Sequence, residues 1–181
     1  MQISTRQILK ILYFLSWIIF VGVCIEAGGF IVNAVFALAN PAVVGRLWHE
    51  ADLSDLLAYS HRHFFVVMVF MSIVAVLRAC LFYLIITMLH GKKLDLAQPF
   101  SREMGRFILR MSYLALLIGL FSAWGARYVE WLTGKGVTMP GIQYLRLAGA
   151  DVWLFMSVVL FVIAQIFRRG IEIQSENELT I

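Results

Sequence analysis

The sequence predicts an all-α integral membrane protein, a four-transmembrane-helix bundle, and three observations carry that prediction. The 181 residues are 61% hydrophobic and only 14% charged, and a mean hydropathy of +0.85 is far above that of a water-soluble domain of this size. A helix needs about 20 mostly apolar residues to cross roughly 30 Å of hydrocarbon, and four windows meet that requirement: 11–39, 64–89, 107–132 and 148–167. Short polar connections separate them, so the whole chain, 1–181, is expected to form a single membrane domain ending in a tail at 168–181.

The first window follows Arg6 and Lys10, and Ala37-Leu38-Ala39 imitates the small-residue site at which a signal peptide is cleaved. Its apolar stretch is about twice the length of a cleavable core, and it contains Glu26. A retained signal anchor is therefore expected.

Residues 40–63 begin with a helix stop at Asn40-Pro41. They then place Val44, Leu47, Trp48, Leu56, Leu57 and Tyr59 among polar residues at loosely helical spacing. That pattern predicts a short interfacial helix in the first outer loop, with Trp48 and Tyr59 at headgroup depth. His49, Glu50, Asp52, His61 and His63 crowd the same loop. His61 and His63 would share a metal only on extended backbone, and nothing sets a third ligand. A solvated interfacial cluster is expected instead, with no metal site.

Cys24 and Cys80 fall inside spans and are expected to pack as small apolar residues. Gly119 with Ala123, Ser122 with Ala126, and Cys24 with Gly28 form small-x-x-x-small pairs that allow close helix crossings. Between the second and third spans, residues 90–106 read HGKKLDLAQPFSREMGR. Pro99 and Ser101 mark a helix entry there, although Ser101 with Met104 makes a poor capping box. The helix carries Arg102, Glu103, Arg106 and Arg110 in its first turns, so it is expected to start in water and run into the third span. The connection 133–147 holds Gly134, Gly136, Pro140 and Gly141 and is expected to be a plain turn region.

After the fourth span, Arg168 and Arg169 mark the membrane edge and Gly170 permits a break. Beyond it Ile171, Ile173 and Leu179 alternate with Glu172, Gln174 and Glu178, a pattern expected to dock as a strand-like or irregular strip against the basic helix 102–110. Such a strip either closes the cytoplasmic face by intramolecular packing or recognises a soluble partner. In the second case Arg102, Arg106, Glu172, Gln174, Glu176 and Asn177 are the candidate binding residues.

Basic residues near span ends are held on the cytoplasmic side. Nine lie on one side, Arg6, Lys10, Lys92, Lys93, Arg102, Arg106, Arg110, Arg168 and Arg169. Five lie on the other, Arg46, Arg62, Arg127, Lys135 and Arg146, diluted by Glu50, Asp52, Asp55 and Glu130. Both termini are accordingly expected in the cytoplasm. The net charge of +4 then expresses topology, with no direct nucleic-acid binding expected.

Each span also carries one charge at similar depth. Counted from the cytoplasmic anchors, Glu26 is sixteen residues in from Lys10, Arg78 fourteen from Lys92, Arg127 seventeen from Arg110 and Asp151 seventeen from Arg168. At about 1.5 Å per residue these depths are roughly 24, 21, 25 and 25 Å. Buried charges cost at least about 2 to 3 kcal/mol each unless paired or hydrated. The spacing therefore predicts that Glu26 and Arg78 approach one another, with Arg127 and Asp151 nearby. Such a layer would serve as an ion-pair clamp on helix register, a proton or ion path, or four charges snorkelling independently.

The stretch LDLAQPFSREMGRFILRMSY together with IFRRGIEIQSENELTI resembles the bacterial membrane family described as domain of unknown function 2975, DUF2975. The matching positions are Pro99, Phe100 and Ser101, then Gly170, Glu172, Gln174, Glu176, Asn177, Leu179, Thr180 and Ile181, with Glu178 where the family more usually has Asp. The resemblance implies a small four-span inner-membrane protein without an established reaction, whose gene often neighbours a short helix-turn-helix regulator. It supplies no catalytic residue.

No Gly-rich phosphate loop, His-Glu-x-x-His or Gly-x-Ser-x-Gly motif occurs, nor a pair of span histidines suited to haem. Catalysis and cofactors are not expected. The expected function is a membrane-embedded regulatory or accessory module whose cytoplasmic loop and tail bind a soluble or membrane partner. The alternative is a small oligomeric channel or transporter using the charged layer, with homo-oligomers a further expectation.

Overall fold

The structure, a computed structural model, describes residues 5–39, 52–90 and 101–178, and side chains within 7–37, 52–90 and 101–176. Five helices follow in order: α1 (Thr5–Ala39), α2 (Ser54–Tyr59), α3 (His61–His90), α4 (Arg102–Gly134) and α5 (Ala150–Glu178). No strand occurs among the described residues. The four long helices are long and apolar enough to cross a membrane. A bilayer interior leaves backbone groups no partner except each other, which is why these segments are helical along their whole length. Pro140, the one proline among the described residues, falls in the connection between α4 and α5.

α3 lies between α1 and α4, and α5 packs on α4. Tyr13 near the start of α1 is hydrogen-bonded to His90 at the end of α3, at 2.8 Å. The end of α3 shares a groove with the first turns of α4, and those turns share another with the end of α5. The start of α1 and the end of α5 therefore lie at one end of the bundle, and the connections 52–60 and 135–149 lie at the other.

The core sits toward the connection end. It joins Ala27 and Phe30 of α1, Leu53, Leu56 and Leu57 around α2, Phe64, Met68, Met71 and Val74 of α3, and Ile118, Val129 and Leu132 of α4. Val137, Leu145 and Leu147 from the 135–149 connection enter the same core, the last two with no exposure at all. The expected plain turn region is thus a structural plug. By contrast α1 and α5, the outermost helices, leave most of their large apolar side chains exposed, as lipid-facing helices do.

The α4–α5 crossing depends on Gly119. A Cβ placed there would stand 2.7 Å from Leu154 Cγ and 3.0 Å from the Leu154 backbone nitrogen. On the same seam Ser112 Oγ donates to the Ser157 carbonyl oxygen at 2.9 Å. The Cys24–Gly28 pair meets no helix among the described residues, where nothing approaches within 4 Å of a Cβ at Gly28. Cys24 and Cys80 are exposed free thiols, contrary to the expectation of packing.

Ser101 caps α4, accepting from the Met104 backbone N–H at 3.2 Å, so the weak capping signal marks the true helix start. At the other end of the chain the expectation fails. α5 continues through Gly170 to Glu178 without a break, and the tail docks as a helix. Glycine costs about 1 kcal/mol in a helix, too little to end one whose next turn places Ile171 against Gly105 of α4.

Candidate functional site

Two polar regions stand out, one at each end of the bundle. At the connection end, Arg146 Nε donates to Glu26 Oε1 in an ion pair that joins the 135–149 connection to α1. Arg146 adopts the left-handed region at φ 58°, a conformation that costs a non-glycine residue roughly 1–2 kcal/mol. Its fully buried neighbours Leu145 and Leu147 hold the turn, and the tight backbone turns Arg146 toward α1.

Arg78 is close enough to feel the charges of both Glu26 and Arg146. Its guanidinium carbon lies 5.9 Å from the centroid of the Trp153 ring on α5, and its Nε is buried without a hydrogen-bond partner among the described residues. Glu26, Arg78 and Arg146 thus form a three-member group with one net positive charge, touching α1, α3, α5 and the connection.

This differs from the expected ring of four balanced charges. Glu26 does come near Arg78, yet its hydrogen-bonded partner is Arg146. Arg127 and Asp151 are exposed and take part in no ion pair among the described residues. Asp151 sits in the first turn of α5, where the helix dipole favours a negative charge. Depth counted along straight helices placed four charges level; it carried no information about which helix faces meet. Arg146 was missed because a loop residue has no span depth. The alternation Leu145-Arg146-Leu147 was the available signal, two buried side chains flanking one turned away.

Nearby, His63 is hydrogen-bonded through Nδ1 to the Tyr128 hydroxyl. Its ring also packs on Tyr59 and Trp131, with Lys135 over the Trp131 ring at 5.7 Å. His63 therefore belongs to an aromatic cluster, and no metal-binding group of three or more ligands occurs among the described residues. Asp52 accepts from the Ser54 hydroxyl at 2.6 Å and its backbone N–H at 2.9 Å, and these bonds hold its carboxyl below the ordinary value. Trp48, His49 and Glu50 lie outside the described residues.

At the terminal end the described side chains of α4 and α5 are exposed or half-buried, apart from Ala164. A groove of about 580 Å³ opens between α4 and α5, with Arg102, Arg106 and Arg168 among its lining residues over Leu109, Ala164 and Ile171. A smaller one of about 210 Å³ lies between α3 and α4, with Arg106 and Arg110 on its wall. Glu172 lines the larger groove but pairs on its own helix, with Arg169 at 3.0 Å and Arg168 at 3.5 Å. For Glu172 the expected pairing with an α4 base is replaced by contacts one turn away on α5. Arg102 and Arg106 take part in no ion pair among the described residues. Gln174 and Glu176 are each engaged in interactions of their own. The Asn177 side chain, Pro99, Phe100, Lys92, Lys93 and residues 179–181 lie outside what the structure describes.

Four helices of spanning length with apolar flanks facing outward define a multi-pass membrane protein. The chain belongs to the DUF2975 family, described as a protein of unknown function, whose model matches residues 52–181. No curated protein and no solved structure matches it.

Proposed function

We propose that this chain is a non-catalytic regulatory or accessory module of the inner membrane, with both termini in the cytoplasm and α2 lying along the outer interface. On this reading the first turns of α4 and the last turns of α5 form the face that binds a soluble partner. One observation carries it: α5 continues about two turns past Arg169, which holds Glu172, Ser175 and Glu176 on a helix beside the exposed arginines of α4. A helix docked on its neighbour presents polar side chains in fixed positions, which lowers the ordering cost of binding.

The family resemblance favours a helix-turn-helix regulator as that partner. The nine-to-five distribution of basic residues supports the orientation. The test is purification from native membranes of the full chain and of a chain lacking 172–181. A companion protein that leaves with the tail, while detergent stability is retained, is the expected result. Recovery of the same companion by the shortened chain, or of none by the full one, overturns the reading. So does ion flux in proteoliposomes that Glu26→Gln abolishes.

A further inference from the structure

We infer that the α4–α5 groove is a binding site for the head group of an anionic phospholipid, with the phosphate diester held by Arg102, Arg106 and Arg168. This goes beyond the partner reading and is tested without any partner present. Phospholipid recognition needs two chemistries in one cleft, cations at headgroup level and an apolar wall just below. The groove has both. Leu109 and Ala164 belong to the apolar stretches of α4 and α5, while Arg168 and Arg102 lie one to two turns further along toward the polar end.

The volume of about 580 Å³ suits a head group with the start of its acyl chains. Electrostatics favour an anion. Glu172, an acidic wall residue, is already shared between Arg168 and Arg169. Arg102 and Arg106 keep no carboxylate partner among the described residues; Arg106 Nε reaches only the Arg102 carbonyl oxygen, at 3.4 Å. A guanidinium fork matches phosphate oxygens bidentately, and basic clefts between spans on the cytoplasmic side bind anionic head groups. Gly105 lets Ile171 pack close to the α4 backbone on the groove wall, its Cδ1 3.7 Å from where a Cβ would stand.

The experiment measures lipid retention by the purified full chain, by native mass spectrometry, after exchange into phosphatidylglycerol or phosphatidylcholine. Glycerol 3-phosphate serves as the free-phosphate arm. Phosphatidylglycerol is expected to remain bound and phosphatidylcholine to be lost. Retention should fall about fivefold for Arg102→Gln or Arg106→Gln and on the order of 25-fold for both together. Arg127→Gln, on an exposed cation outside the groove, should leave retention unchanged; both classes of substitution fall on exposed positions and leave the core intact. Equal retention of the two lipids, or phosphatidylglycerol retention indifferent to the double change, overturns the site. Saturation by glycerol 3-phosphate at the same concentration overturns the lipid assignment in favour of a soluble phosphate. An acidic soluble protein that displaces the head group from the wild-type chain and binds more tightly than the lipid also overturns it.

Discussion

Replacing Gly119 with alanine tests the α4–α5 seam directly. The added Cβ would lie 2.7 and 2.8 Å from Leu154 Cγ and Cδ2, and 3.0 Å from the Leu154 backbone nitrogen. Ordinary carbon contacts are about 3.5–4.0 Å, so the helices must separate by on the order of 0.5–1 Å or Leu154 must leave its place. The side-chain end alone could yield, but the backbone nitrogen moves only with α5. Overpacking of this kind costs about 1–3 kcal/mol, and alanine's better helix propensity returns up to about 1 kcal/mol. With the full propensity gain the net expectation is a loss of up to about 2 kcal/mol. Gly22→Ala is the matched control, because nothing lies within 4 Å of its Cβ. It should be neutral or stabilising by up to about 1 kcal/mol. Reversible unfolding in mixed micelles of increasing dodecyl sulfate content, followed by circular dichroism, measures both. Gly119→Ala at or above wild-type stability, or equal losses for the two variants, would refute the close crossing.

Arg146→Ala removes the Glu26 ion pair and should lower stability by about 1–3 kcal/mol. Arg146→Gly should lose about 1 kcal/mol less, because glycine accepts φ 58° without strain; unfolding of the two variants in one detergent series gives the difference, and equal losses would mean that the turn stores no strain. Cys24 and Cys80 should resist a charged maleimide in intact membranes and react with it once the chain is unfolded in dodecyl sulfate, a pattern read by mass shift, since both are free thiols exposed on spans. Asp52 is held below its ordinary value by Ser54; the sign follows that a depressed carboxyl stabilises the start of α2 above the unfolded value and loses that contribution as pH falls through the folded one. The protection of α2 amides from exchange, with the intrinsic pH dependence divided out, should accordingly fall with acidification in the wild type and stay constant in Asp52→Asn.

The spans were legible because a bilayer imposes length and hydropathy on every crossing segment. Even α4's early start could be read, since Ser101 needs only local geometry to cap Met104. What the sequence concealed depends on which surfaces meet. Gly170 looked like a helix end, yet contact between Ile171 and the Gly105 turn outweighs its modest penalty. Arg78 and Glu26 were paired by depth alone, whereas the buried leucines of a connection delivered a closer arginine from outside the spans. Cys24 and Cys80 are apolar enough for either lipid or protein, so their composition could not choose between them.

The unbroken α5 has a mechanical consequence. Its 29 residues make a rod about 43 Å long, hinged at neither arginine nor glycine, with Trp153 near one end and Ser175 near the other. A flexible tail would absorb a push from the aqueous side within a few residues. A stiff lever held where Leu154 crosses Gly119 instead transmits tilt at Ser175 along its whole length, while Trp153, one residue from that crossing, stays nearly fixed against the Arg78 guanidinium.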